Sequence, residues 1–196
     1  MEETKKIPET HPLEPFLPHN ARILMLGSFP PKKEKWSMDF FYPNMQNDMW
    51  RIFGIVFFND KDYFLLQSRK KFDKDKIKTF LTRQGIALGD TAQTIIRHKD
   101  NASDKFLEVV EPTDLKQILS RLPECEAIIT TGQKATDTLL SLIQAAEPKV
   151  GSFSAFNYDG RSMRLYRMPS SSRAYPKPLE EKAAVYKQMF LELNML

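Results

Sequence analysis

The chain has 196 residues, 41% of them hydrophobic, with a single cysteine, a net charge of +4 and a pI near 9.0. That length suits one domain with a sizeable core. The lone Cys125 rules out a disulfide framework, a cysteine-rich zinc site and a four-cysteine iron–sulfur cluster, and no apolar run reaches the length of a membrane helix or forms a signal-peptide core. A reducing cytoplasm and no membrane partner are therefore expected, while mild basicity permits a polyanionic partner without demanding one.

Residues 1–20 are polar, and Pro8, Pro12, Pro15 and Pro18 block regular helix, so this stretch reads as an extended arm before a single domain over 21–196. Leu13, Phe16 and Leu17 can tack it to the body. His11 and His19 lie in the arm with no second ligand cluster in sight, so no metal site is expected. Ile23 to Leu26 is an apolar run that breaks at Gly27-Ser28-Phe29-Pro30-Pro31, which reads as a buried strand and a tight turn. Ligands of open α/β sheets bind beyond the carboxyl ends of the strands, so that turn is where chemistry is expected. A lysine-rich loop and the rings of Phe40, Phe41 and Tyr42 follow, and then Asn47. Rings stack on a heterocycle, and an amide reads its donor and acceptor pattern.

Trp50, Phe53, Val56 and Phe57 recur at helical spacing. Asp73 to Gln84 presents Ile77, Phe80 and Leu81 on one face, with Gly85 as its C-cap. Ile86 to Leu88 is a short strand ending at Gly89-Asp90-Thr91, and Asp90 is the carboxylate expected in a pocket. Arg97, His98, Lys99, Asn101 and Ser103 read as a polar loop. Pro112, Thr113 and Asp114 open a helix with Leu115, Ile118, Leu119 and Leu122 inward, closed by Pro123. Ala127 to Thr130 is a third strand, and Gly132-Gln133-Lys134-Ala135 turns into a helix whose free N–H groups attract an anion, with Lys134 adding charge. Phe153–Tyr158 and Ser162–Met168 flank Asp159-Gly160, a hairpin signal. Ala183, Tyr186, Phe190 and Leu193 define a last helix, and there is no internal repeat. Alternating strands and helices predict a three-layer α/β/α sandwich with a mostly parallel central sheet.

Four stretches carry a resemblance. They are Gly27-Ser28-Phe29-Pro30 followed by Phe40-Phe41-Tyr42 with Asn47 and Trp50, Gly85 to Thr91, the Gly132-x-Lys134-Ala135 turn, and Met168-Pro169-Ser170-Ser171-Ser172-Arg173-Ala174. In this order they resemble the uracil-DNA glycosylase superfamily, and within it the hypoxanthine-DNA (deoxyinosine) glycosylase branch. The resemblance covers nearly all of residues 21–193 and implies a uracil-DNA glycosylase-like fold. It also implies a monofunctional DNA glycosylase of base-excision repair, which flips a deaminated base (hypoxanthine, xanthine or uracil) and releases it hydrolytically. The partner would be damaged DNA, with no cofactor and no metal, and the protein a monomer. Asn47 and Asp90 would be catalytic, Asn47 positioning the water or holding the departing base. Ser28, Phe29, Pro30, Phe40 and Tyr42 would bind the base, with Tyr42 stacked on it. Lys134, Ser170, Ser171, Ser172 and Arg173 would hold the DNA backbone. Phosphate neutralisation leads us to expect Lys and Arg from 32–35, 97–99, 134 and 173 around the cleft.

This chain departs from the family pattern at Pro43, Asn44, Asp48, Met49, Gly89 and Arg173. An acid at Asp48 replaces a base beside the expected phosphates. Four of these departures, Pro43, Asp48, Gly89 and Arg173, motivate the alternative of a catalytically degenerate member of the fold that binds nucleic acid or a nucleotide. For Asn47 the structural alternative is a helix cap.

Overall fold

The three apolar runs become adjacent strands of a five-stranded sheet in a computed structural model that describes residues 6–99 and 104–196. Its strands are β2 (Ile23–Gly27), β3 (Ile86–Asp90), β6 (Ala127–Thr131), β7 (Ser152–Tyr158) and β8 (Arg161–Met168), in the order β3-β2-β6-β8-β7. The first three and β8 run parallel, and β7 pairs antiparallel with β8 at one edge. Asp159 and Gly160 both adopt left-handed backbone, φ 48° and 78°. Positive φ at both turn residues matches strand twist in a two-residue hairpin, which is why Asp-Gly signalled it.

Alternate side chains of the buried strands face opposite layers. Ile23, Met25, Ile86, Leu88, Ile129 and Tyr166 meet α1 (Met49–Phe58), α2 (Lys74–Gln84) and α5 (Leu179–Glu192) through Trp50, Phe53, Ile77 and Phe190. Leu24, Leu26, Ile128 and Leu165 meet α3 (Leu115–Ser120) and α4 (Gln133–Leu140) through Leu119 and Leu139. The result is the expected three-layer sandwich. Asp73 caps α2 by accepting from Lys76 N–H, and Gly85 ends it at φ 72°. Among the described residues no helix is long and apolar enough to cross a membrane.

A second sheet was not anticipated: β1 (Glu9–Thr10), β4 (Ala92–Arg97) and β5 (Leu107–Pro112) form it in the order β1-β4-β5. Arg97 therefore ends a strand instead of opening a loop, and Pro112 closes a strand instead of starting a helix; Asn101 and Ser103 lie outside the described residues. Its small core is Phe29, Ala92, Ile95 and Leu107. The arm joins the two sheets. Phe16 exchanges both backbone hydrogen bonds with Leu88 on β3, and Glu9 and Thr10 pair with Ile95 and Thr94 on β4.

Candidate active site

Because β2, β3, β6 and β8 are parallel, their carboxyl ends at Gly27, Asp90, Thr131 and Met168 share one edge. The segments that follow surround a cleft of about 750 Å³. Its floor is Gly27. A Cβ built there would lie 2.6 Å from Asp90 Oδ1, 3.4 Å from Tyr42 Oη and 3.7 Å from Thr131 Oγ1, so three oxygens from three segments converge over a residue with no side chain. Tyr42 reaches this point from a left-handed backbone, φ 50°, an uncommon state for an aromatic residue, and its hydroxyl lies 3.0 Å from Thr131 Oγ1. Burial, reinforced by the charge of Asp90, raises the Tyr42 phenol, which stays neutral and able to donate.

Among the described residues two carboxyl groups line the cleft, Asp90 and Asp104. Asp90 Oδ2 lies 2.6 Å from His11 Nε2, and the two side chains are 9% and 5% exposed. Asp104 Oδ1 accepts from Ser28 Oγ at 2.6 Å. Burial is the main influence lifting the Asp104 carboxyl above its usual range; Asp90 adds to it, while Ser28, Lys134 and Arg97 oppose it. Arg97 also borders the cleft, but its guanidinium grips Glu9 at 3.0 and 3.1 Å and the Pro30 carbonyl at 3.1 Å. Among the described residues no group of three His, Cys, Asp or Glu side chains is placed to hold a metal ion.

The opposite wall is made where the serine loop after β8 lies against the approach to α1. Asn47 and Ser172 form an antiparallel bridge, Asp48 N–H donates to the Ser171 carbonyl, and Arg173 N–H to that of Gln46. Asn47 Oδ1 accepts from Met49 N–H at 3.0 Å, so its carbonyl is committed to the helix start and its Nδ2 is the group left to donate toward the cleft it lines. The N-cap of α1 is Asp48, so Asn47 is not the helix cap; it braces the helix start from one residue before the cap. Asp48 and Arg173, two of the departures from the family pattern, pair with each other: Arg173 Nε lies 3.1 Å from Asp48 Oδ1, which also takes Arg51 Nη1 at 3.0 Å. The acid beside the expected phosphates is thereby buried at 6% exposure and held by two arginines. Behind it Lys182, 1% exposed, donates to the Ser172 carbonyl at 2.7 Å, its ammonium depressed by burial.

Of the residues expected in the site, Ser28, Phe29, Pro30, Tyr42, Asn47, Asp90, Ser170, Ser171, Ser172 and Arg173 come together around the cleft. Phe40 does not: it is 5% exposed and packed among Phe16, Phe41 and Trp50, so the ring beside it, Phe41, borders the cleft in its place. Lys134 and residues 32–35 are also outside the lining, although the Lys134 charge acts on Asp104. Ser171 is 2% exposed and holds Asp48 with its main chain, which suits a brace more than a phosphate contact. The sequence reading missed His11, Asp104, Thr131 and Tyr175. Thr131 had a signal, since it ends a strand at the expected edge. The other three had none, because each reaches the site only through the tertiary fold.

No protein-family model matches the chain, and no curated protein matches it. Solved structures do match. One is the solution NMR structure of a "putative uracil DNA glycosylase" from Methanosarcina acetivorans, with a TM-score of 0.59 and 22% identity over 93% of this chain and 99% of that one. That likeness concerns the fold: the chain is a three-layer α/β/α sandwich of the uracil-DNA glycosylase type.

Proposed function

We propose that this protein is a monofunctional DNA glycosylase that hydrolyses the N-glycosidic bond of a deaminated base, hypoxanthine, xanthine or uracil, flipped out of DNA into the cleft. The observation that carries the reading is the convergence of Asp90 Oδ1, Tyr42 Oη and Thr131 Oγ1 over Gly27. A base extruded from the stack needs a pocket with ring surfaces and a few aimed polar groups. Phe29, Phe41 and Tyr42 supply the rings, and Asn47 Nδ2 supplies a donor for a base carbonyl, where negative charge grows as the base departs. Asp90 accepts a proton from water above Gly27 as the C1′–N bond breaks and a C1′–O bond forms. The electron pair of the broken bond leaves with the base, which is then protonated. The carboxylate also stabilises the positive charge that develops on the sugar. The fold neighbour, described as a putative uracil DNA glycosylase, supports the same reaction class.

The test is single-turnover cleavage of duplexes carrying uracil, hypoxanthine or xanthine, with abasic sites as the readout. Wild type should cut at least one, and Asp90→Asn should lose about a hundredfold or more in rate. A second reading, a binding module without turnover, is favoured by one observation: Arg97 and Arg173 at the cleft are already paired with Glu9 and Asp48. Lesion-dependent binding with no abasic product would select it.

A further inference from the structure

His11 reaches the site from an arm that the rest of the machinery does not use. Resting on the glycosylase reading, we propose that His11 is a positioning residue, and that the N-terminal arm acts as a strap carrying the imidazole that holds the Asp90 carboxylate in its working orientation. The ring is wired at both nitrogens. Leu13 N–H donates to Nδ1 at 3.1 Å, so Nδ1 must present its lone pair and the proton of the neutral ring resides on Nε2. Nε2–H then donates to Asp90 Oδ2 at 2.6 Å. That bond occupies one carboxylate oxygen and leaves Oδ1, the atom 2.6 Å from the point above Gly27, to face the water.

The rest of the arm serves this contact. Asp90 ends β3 and Ala92 begins β4, so the carboxylate stands at the corner between the sheets. The arm crosses that corner with one anchor on each side, Phe16 on Leu88 of β3 and Thr10 on Thr94 of β4, and His11 N–H itself donates to the Gln93 carbonyl at 2.8 Å. Phe29 meets the His11 ring edge-on at 5.1 Å and Phe41 lies at 6.0 Å, which fixes its plane. The arm passes close to Gly89, where a Cβ would stand 3.8 Å from Pro15 Cβ. The imidazole does not relay protons in this arrangement, since Nδ1 is already accepting; it acts through the direction and charge of Asp90.

Two substitutions separate the positioning role from packing. His11→Asn keeps an acceptor near the place of Nδ1 for Leu13 N–H but has nothing to reach Asp90, whereas His11→Gln can place an amide donor near the place of Nε2. His11→Ala and His11→Asn should lower the single-turnover rate about 10- to 100-fold at unchanged affinity for lesion duplex, and His11→Gln should recover much of that loss. In an Asp90→Asn background, His11→Ala should cost little further rate, because residues acting as a unit are not additive. Equal losses for Asn and Gln, full activity for His11→Ala, or a rate loss that persists undiminished in the Asp90→Asn background would overturn the positioning role and leave the glycosylase reading standing. A wild type that cuts none of the three lesions overturns that reading and this inference with it.

Discussion

A methyl group at Gly27 would press on Asp90 Oδ1 at 2.6 Å, and Asp90 cannot yield easily because His11 holds its other oxygen. The backbone of Gly27 is not left-handed, so alanine is tolerated conformationally. Gly27→Ala is therefore expected to displace the carboxylate more than the fold, lowering the cleavage rate at least tenfold for a stability loss of only about 1 kcal/mol; thermal melts beside single-turnover rates check it. Asn47 gives the converse contrast. Asn47→Asp keeps an oxygen for Met49 N–H and loses the donor, so it should melt like wild type yet release base roughly a hundredfold more slowly. Asn47→Ala should lose both, with about 1 kcal/mol of stability. An Asp variant with full activity would confine Asn47 to bracing the start of α1. For Asp104 the sign follows from a carboxyl lifted by burial: the folded state resists its ionisation more than the unfolded chain does, so stability falls as pH rises through the carboxylate range and returns as pH drops. Asp104→Asn should accordingly raise the melting temperature at neutral pH and lose that advantage in acid. Asp90 was legible in the sequence because it ends an apolar strand. Asp104 and His11 were not, since a carboxylate and an imidazole 79 positions apart along the chain, like His11 and Asp90, announce nothing locally.

The elements that were legible are those whose burial writes a pattern. Strands β2, β3 and β6 are covered on both faces and read as unbroken apolar runs, and the hairpin of β7 and β8 was marked by its Asp-Gly turn. Strands β4 and β5 escaped notice for physical reasons. Their pairing slips at Thr94, which breaks the alternation, and the consecutive residues Val110 and Glu111 are both exposed, so no periodic signal survives. The serine loop was legible as a motif, but its partner was not: it is fastened to the approach of α1 by Asp48, Arg51 and Arg173. Arg173 is 48% exposed, so a double-mutant cycle of Asp48→Asn with Arg173→Ala should give a coupling of only about 0.5–1 kcal/mol. Arg51 is 10% exposed and leaves Asp48 buried when removed, so Arg51→Ala should cost about 3 kcal/mol in denaturant unfolding.

At the scale of the molecule, a net charge of +4 favours a polyanion, but two cleft arginines already hold acids of the protein's own. Duplex affinity should still weaken as salt rises, each phosphate contact contributing a log–log slope of about −0.9. Affinity indifferent to salt would point to a ligand other than DNA. The two sheets meet at Asp90, and the segment that bridges them is fastened by a two-residue strand, one reciprocal backbone pair at Phe16, the His11 bonds to Gln93 and Asp90, and an ion pair from Glu9. Its backbone pairing is short beside the ladders that flank β2 on both sides, so it is a cooperative unit that opens more often than the body unfolds. Amide hydrogen exchange should find His11 N–H, bonded to Gln93, unprotected long before the amides of β2. Every such opening frees the Asp90 carboxylate, so on heating, catalysis should fade reversibly while the central sheet is still intact, and thermal inactivation should precede the calorimetric transition.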